Sequence, residues 1–194
     1  LPLDSASTIS QLTDTDKLML FTQKMSPCFQ LLIIGAEHDA VQLCKAAVFA
    51  GWEVTIGCST KDPKSIKDFP GAKSVMSLED DLSRLCVDDE TAVVLMTHNY
   101  AKDFSYLLSL KDRFSGYIGL LGSYDRREKI ISALIEKYPE IDIDFLDNIH
   151  GPAGLDIGAE TPQEIALSIV SEILAYQRKS TPMKLRQKTG KIHS

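Results

Sequence analysis

Polar and glycine residues cluster directly after apolar runs, where a ligand could be bound. His98 and Asn99 follow the run 92–96. The run 117–121 is followed by a glycine, a serine and an arginine pair, and a later loop opens with a histidine: Gly122, Ser123, Arg126, Arg127, His150, Gly151, Gly154. Arginines at a glycine-to-helix junction suit a phosphate, because the cations and the helix N-terminus both attract anions. Structural histidines and a solvated arginine pair are the alternatives.

These residues do not define a reaction. They include no recognisable nucleophile–base pair and no metal-ligand spacing, so no metal site is predicted and enzymatic activity stays open. The cysteines are widely separated, which disfavours zinc and favours buried, reduced thiols in a cytosolic protein: Cys28, Cys44, Cys58, Cys86.

The turn after the first apolar run departs from a dinucleotide-binding fingerprint. Gly35 and Ala40 fit its first and sixth positions, but Glu37 holds the middle position, where bare backbone must meet the pyrophosphate. The second run ends in Gly57 and Cys58 rather than in the usual acid. Binding of NAD(P) is therefore disfavoured.

Alternating strand and helix patterns predict an α/β fold, a doubly wound Rossmann-like parallel sheet with helices on both faces and strand order 3-2-1-4-5-6. Strands are expected at 29–34, 53–56, 74–76, 92–96, 117–121 and 141–145, and helices after 40, at 77–86, 100–110 and 125–137. A last helix is predicted from Thr161 as N-cap, with Pro162 and Glu164 in its first turn. Loops after the last three strands should share one sheet edge, which would gather the candidate residues in a single cleft.

Charge and hydropathy limit the possible partners. The 194-residue chain carries −6 overall, but six of its 21 lysines and arginines lie beyond residue 177 with no acid among them. We expect a leader or linker at 1–27, the domain at 28–177 and a basic flexible tail at 178–194. An acidic body argues against nucleic acid, and no apolar run approaches a membrane span, so a cytoplasmic protein is expected.

Three segments resemble the XdhC/CoxI family of xanthine dehydrogenase accessory proteins. GPAGLDIGAETPQEIALSIVSEI, from Gly151, is similar to the family's C-terminal signature; YIGLLGS at 117–123 with its arginines, and Thr97-His98-Asn99, are similar to two others. Matching order extends over 28–175. This chain departs from the family's pattern at three points. Family members typically have Asp where this chain has Asn99, and many have Gly-Ala-Gly-His at the turn where residues 35–38 read Gly-Ala-Glu-His. The family's N-terminal Cys-Gly-Gly motif does not occur in this sequence.

The resemblance implies an accessory factor that matures a molybdenum hydroxylase. Such a protein would bind the molybdenum cofactor (molybdopterin), aid its sulfuration or insertion, and meet the apo-enzyme and a sulfurtransferase. The cofactor contacts would come from the candidate residues above together with Gly35. A homo-oligomer, specifically a dimer, is expected. The alternatives are an NAD(P)-dependent oxidoreductase and a non-catalytic Rossmann module for dimerisation or docking.

Overall fold

The computed structural model describes residues 8–11, 19–22, 28–78, 82, 87–88 and 90–189. The chain divides into two compact units, one of residues 28–182 and one of residues 1–27 with 183–194. In the smaller unit, β1 (Thr8–Gln11) pairs antiparallel with β2 (Met19–Thr22), and a short 3₁₀ turn spans Leu185–Gln187.

The larger unit contains a six-stranded parallel sheet with the order β5-β4-β3-β6-β7-β8. Renumbered within this sheet, the order is 3-2-1-4-5-6, so the predicted topology and fold class are confirmed. The strands are β3 (Gln30–Ile34), β4 (Glu53–Ser59), β5 (Ser74–Leu78), β6 (Thr91–Leu95), β7 (Ile118–Leu120) and β8 (Ile149–His150).

Helices follow the strands and cover both faces of the sheet. They are α1 (His38–Phe49), α2 (Tyr100–Leu110), α3 (Tyr124–Lys137), the short α4 (Ile143–Asp147) and α5 (Pro162–Gln177), with a 3₁₀ turn at Ile66–Asp68. Local signals set their starts: Asn99 caps α2, Ser123 caps α3, and Thr161 forms the predicted capping box with Glu164. No helix among the described residues is long and apolar enough to cross a membrane.

Alternating side chains of the strands feed two separate cores. Leu31 and Ile33 of β3 face α1 and α5, where they pack in a buried cluster that includes Leu43 and Ile169. Leu32 and its neighbours on the other face pack against α2 and α3. Both faces of the sheet are therefore dry, which explains why β3 and β6 read as continuous apolar runs.

The predicted strand at 141–145 is wrong. Asp142 accepts a hydrogen bond from the Asp144 amide and starts α4, in which Phe145 is buried and Ile143 is 71% exposed. An N-cap thus outweighs a short apolar alternation. The last strand is β8, which begins at Ile149.

Two further expectations are only partly addressed. Ser77 lies within β5 instead of starting a helix, and most of the predicted helix 77–86, including Cys86, lies outside the described residues. Cys44 and Cys58 are buried as expected, whereas Cys28 is exposed. Burial raises the pKa of Cys44 to about 11 despite the opposing charge of Lys45, which makes this thiol a packing group.

Candidate functional site

A cleft of about 180 Å³ opens at the carboxyl ends of β3, β4 and β6. At this point the strand order reverses, because β4 and β5 follow β3 on one side of the sheet and β6 starts the other side. Open α/β sheets bind ligands at such a switch point. The polar lining residues come from three loops, the end of β4 and the first turn of α2: Glu37, Ser59, Asp62, Thr97, Asn99, Lys102.

Gly35 forms the floor of the cleft and is required by the fold itself. Its φ is +134°, and a Cβ there would lie 2.5 Å from the carbonyl oxygen of Met96. Its amide donates to the Gly57 carbonyl at 2.9 Å. The first glycine of the fingerprint is thus explained by close packing of β3 on the end of β6.

Glu37 stands at the N-terminus of α1 with an exposed side chain that lines the cleft. It occupies the N-cap position but forms no side-chain capping bond. Its carboxylate is therefore available to the cleft, at the helix end that would otherwise attract a phosphate. The position matches the sequence argument against a pyrophosphate at this turn.

The loop after β6 is fixed by its own hydrogen bonds. The Thr97 hydroxyl donates to Asp103 Oδ1 at 2.5 Å and accepts from the Asn99 amide at 3.2 Å, while Asn99 Oδ1 accepts from the Lys102 amide. His98 lies at the tip with a φ of +53° and a side chain that is 53% exposed. Its Nε2 lies 3.8 Å from Asp39 Oδ2. Thr97 and Asn99 thus line the cleft, whereas the exposed His98 side chain lies beside Asp39 of α1.

Lys102 supplies a cation to this cleft and was missed in the sequence. It sits in the first turn of α2, and its Nζ lies 3.3 Å from Ser59 Oγ, across the cleft on β4. The other nearby lysine, Lys64, is paired with Asp62 at 2.9 Å. A lysine three positions after Asn99, in the first turn of a helix predicted to start at the carboxyl edge, was the available signal.

Arg126 is paired with a buried carboxylate. Its Nη2 donates to Asp103 Oδ2 at 2.6 Å, and Asp103 is only 1% exposed. The side chain folds back over Gly122, where a Cβ would lie 2.7 Å from Arg126 Cδ. Arg126 Nε is buried and has no hydrogen-bond partner among the described residues.

Arg127 is also held by protein groups. Its Nε donates to the Ile149 carbonyl at 2.8 Å, and its Nη1 lies 2.8 Å from Glu128 Oε1. Its Cβ lies 3.0 Å from the position of a Cβ on Gly151. The two arginines therefore tie α3 to β8 and α2, and neither lines the cleft.

A second cavity of about 460 Å³ lies beside the loop that joins β8 to α5. Gly122, Gly154 and Gly158 line it together with Ser168 of α5. Gly154 has a φ of +116°, and a Cβ there would collide with the Ser168 hydroxyl, which donates to the Leu155 carbonyl at 2.6 Å. The glycine loop is thus packed directly onto α5.

The N-terminus of α5 is neutralised by its own carboxylate. Glu164 Oε2 accepts from the amides of Glu160 and Thr161 at 2.9 and 2.8 Å. The hydrogen bonds from Thr161 and then Glu160 lower the pKa of Glu164. An anion at this helix end would compete with that carboxylate.

His150 lies beneath α5, outside both cavities. Its ring stacks on Tyr117 with centroids 4.4 Å apart, and its Nδ1 lies 3.6 Å from Glu172 Oε1. Its Nε2 is buried without a hydrogen-bond partner among the described residues. Glu172 Oε2 accepts from the Tyr117 hydroxyl at 2.5 Å and from the Gly154 amide at 2.8 Å.

Glu172 is ionised more readily than an ordinary glutamate. Burial, the largest influence, raises its pKa, but hydrogen bonds from His150, Tyr117 and the Gly154 amide together lower it below the usual 4.5. Burial, with Glu172 beside it, raises the pKa of Tyr117. The pair is a carboxylate and a neutral phenol that fasten the glycine loop to α5.

The structure therefore divides the candidate residues instead of gathering them in one cleft. Gly35 and Asn99 line the cleft between β3 and β6, whereas His98 lies beside Asp39 of α1. Gly122 and Gly154 line the second cavity, while the remaining candidates hold α3 and α5 in place: Ser123, Arg126, Arg127, His150, Gly151. No group of three or more metal-ligating side chains occurs in the described part of the chain.

The fold is that of a Rossmann-type domain with a cleft at the strand switch point. The chain belongs to the family of the XdhC Rossmann domain, whose sequence model matches residues 31–173. The resemblance noted in the sequence is thereby confirmed.

Known relatives agree with this assignment. The chain is 32% identical over 162 residues to a probable xanthine dehydrogenase subunit of Bacillus subtilis, covering 82% of this chain and 46% of that protein. It is 23% identical over 153 residues to the molybdenum cofactor insertion chaperone PaoD of Escherichia coli, covering 78% and 41%. A crystal structure of a xanthine dehydrogenase from Bacillus halodurans superposes with a TM-score of 0.69 at 26% identity, over 90% of this chain and 49% of that one. The chain thus spans about half the length, or less, of these relatives.

Proposed function

We propose that this domain belongs to an accessory factor for molybdenum hydroxylases of the xanthine dehydrogenase type and holds the molybdenum cofactor for delivery. Membership of the XdhC Rossmann domain family and the similarity to an insertion chaperone support this role. The observation that carries the proposal is the cleft between β3 and β6, with Lys102 in the first turn of α2.

The lining of the cleft fits the anionic end of molybdopterin on the side of α2. The first-turn amides of α2 face the carboxyl edge, and Lys102 adds a full positive charge beside them. Thr97 and Asn99 add polar groups at the same helix end. A phosphate here would be bound by charge-assisted hydrogen bonds, which are the stronger class.

The position of Glu37 sets the orientation of the bound cofactor in the cleft. Its carboxylate repels a phosphate from the start of α1, so the anion is confined to the side of α2. A carboxylate accepts hydrogen bonds well from adjacent amino and ring N–H groups, such as the donor edge of a pterin. We infer that the pterin ring lies towards Glu37 and the phosphate towards Lys102.

The other candidate residues act on this cleft indirectly. The buried Asp103 accepts hydrogen bonds from the Thr97 hydroxyl and from Arg126 Nη2, so Asp103 and Arg126 together hold the loop of Thr97 in place. Gly122, Ser123, Arg127, His150, Gly151 and Gly154 shape the neighbouring loop and second cavity, where the rest of the cofactor or the client enzyme would be met. The side chains that line the cleft include no thiol among the described residues, so we assign binding and presentation to this domain and the sulfur transfer to a partner sulfurtransferase.

The test is cofactor retention by the purified 194-residue chain produced in a host that makes molybdopterin. Bound pterin is released, oxidised and measured by fluorescence. Losing one charge-assisted contact weakens binding by about ten- to a hundredfold, so Lys102→Ala should lose most of the pterin. Lys45→Ala, an exposed lysine on α1, is the matched control and should retain it.

Two results would contradict the proposal. One is a parent chain that carries no pterin, and the other is retention by Lys102→Ala equal to that of the control. Arginine variants are a poorer test, because Arg126→Ala would strand the buried Asp103 and disturb the fold.

A further inference from the structure

The outer face of α5 carries an ordered row of exposed side chains. The helix buries Ala166, Ile169 and Ile173 against the sheet. The row on the opposite side is apolar near its centre and charged at its ends: Glu164, Leu167, Ser171, Leu174, Arg178. Leu167 is 55% exposed and Leu174 is 42% exposed. At 100° per residue all five lie within an arc of about 80°.

This row is self-complementary when read in the opposite direction. Taking Ser171 as the centre, Glu164 lies seven residues before it and Arg178 seven residues after it. Leu167 lies four before and Leu174 three after. In two antiparallel copies crossing at Ser171, each acid therefore faces an arginine about 10 Å from the centre, and each leucine faces a leucine.

We propose that α5 is the core of a twofold-symmetric dimer in which it packs antiparallel against the α5 of a second copy of this chain. A second copy is the occupant because both the charges and the leucines of this face match the same face turned around. An unrelated partner would have to reproduce that pattern. The cleft of the proposed cofactor site opens at the carboxyl edge of the sheet, away from this helix face, so the dimer does not depend on that function.

The central serine permits close approach without leaving a buried polar group unsatisfied. The Ser171 hydroxyl donates to the Leu167 carbonyl at 2.7 Å within the same helix. A small residue with an internally bonded hydroxyl can lie at a dry crossing point. At the helix start, both capping bonds of Glu164 use Oε2, so Oε1 can face the arginine of the partner.

Phe49 extends the apolar surface beyond a single helix pair. It ends α1 and is 94% exposed, and α1 packs along α5 on the same face of the sheet. Both helices follow parallel strands and run in the same direction, so Phe49 lies near the end of α5 that carries Leu174. The twofold axis moves it towards the start of the partner's α5. Stable interfaces bury about 1,200–2,000 Å², more than two crossing helices alone supply, and Phe49 contributes to that area.

The experiment is sedimentation velocity on the 194-residue chain over a wide concentration range, up to hundreds of micromolar. The parent should show a reversible monomer–dimer equilibrium. Arg178→Glu and Glu164→Arg should each raise the dimer dissociation constant by about tenfold or more, because each homodimer would then contain two facing pairs of like charge. An equimolar mixture of the two variants should recover the parent's affinity, because both facing pairs in the mixed dimer have opposite signs.

Leu174→Glu is the second disrupting variant, and it leaves the capping box intact. Ile135→Glu is its matched control, since Ile135 is 46% exposed on α3, over the other face of the sheet. Circular dichroism confirms the fold of each variant, and Arg178→Glu with Leu174→Glu decides the question if Glu164→Arg unfolds. A parent that stays monomeric, or a dimer that both deciding variants leave unchanged, would overturn the proposal. Failure of the charge-swapped mixture to dimerise more tightly than its components would do so as well.

Discussion

Replacing Glu172 by alanine should destabilise the domain more than any ordinary surface substitution on α5. The carboxylate accepts two hydrogen bonds at Oε2, from Tyr117 and from the Gly154 amide. A hydrogen bond to a charged group contributes about 1.5–3 kcal/mol. After allowance for the partial burial of the carboxylate, which is 19% exposed, we expect a net loss of about 3 kcal/mol.

Thermal unfolding followed by circular dichroism measures this loss. For a chain of this size 1 kcal/mol corresponds to about 2–4 °C, so Glu172→Ala should melt about 6–12 °C lower. Glu136→Ala on α3 is the control, because Glu136 is an exposed helix glutamate. It should shift the midpoint by no more than about 2 °C.

A double-mutant cycle separates the bond to Tyr117 from general helix effects. Tyr117→Phe removes the hydroxyl but keeps the buried ring, and should cost about 1–2 kcal/mol. Combined with Glu172→Ala, the losses should fall short of additivity by about 1 kcal/mol. Strict additivity, or a Glu172→Ala variant as stable as the control, would refute the role given to this carboxylate.

Three other predictions concern dinucleotide binding in the cleft, the stability of the domain at low pH, and the C-terminal tail. Because Glu37 lies where a dinucleotide's pyrophosphate would bind, calorimetry should find weak or no binding of NAD(H) and NADP(H). Glu37→Gly should improve whatever binding is measured. Low-micromolar affinity in the parent would contradict this prediction. Because the pKa of Glu172 is lowered on folding, its stabilisation is present above about pH 4.5 and lost as the pH falls further. Urea titrations should therefore show the gap between the parent and Glu172→Gln shrinking below that pH, and a constant gap would count against it. Truncation after Pro182 keeps the amides of residues 178–180 that close α5, so the midpoint should stay nearly unchanged, and a fall of many degrees would argue otherwise.

The sequence was a sufficient guide wherever the signal was local. Asn99 and Ser123 cap α2 and α3 because their side chains bond amides three residues on, so both helix starts could be predicted to within one residue. Buried parallel strands read as apolar runs, and the alternation of strands and helices then left few topologies. The Rossmann strand order was one choice among those topologies, and the family resemblance implied the same order.

The sequence-based predictions were incomplete or wrong for short segments and for residues whose contacts lie far away in the sequence. A five-residue alternation at 141–145 was too short to outweigh the cap at Asp142. The side chain of Asp103 is buried against Arg126, 23 residues away, and nothing near it in sequence indicates that pairing. Tyr117 and Glu172 are 55 residues apart and meet only when α5 lies on the sheet. The candidate residues were therefore assigned to one cleft, whereas the structure distributes them over two cavities and a supporting framework.

Gly119, in the middle of β7, leaves little room for a side chain beside Tyr117. A Cβ there would lie 3.0 Å from Tyr117 Cε1, 3.2 Å from the Tyr117 hydroxyl and 3.2 Å from the Cβ of Ala153. A side chain at position 119 would force the phenol ring or Ala153 to shift by a few tenths of an ångström. Positions 117, 119, 153 and 172 should consequently covary in evolution, with a larger residue at 119 accompanied by loss of the tyrosine. The glycine would then be inherited together with the geometry of the loop that Glu172 fastens to α5.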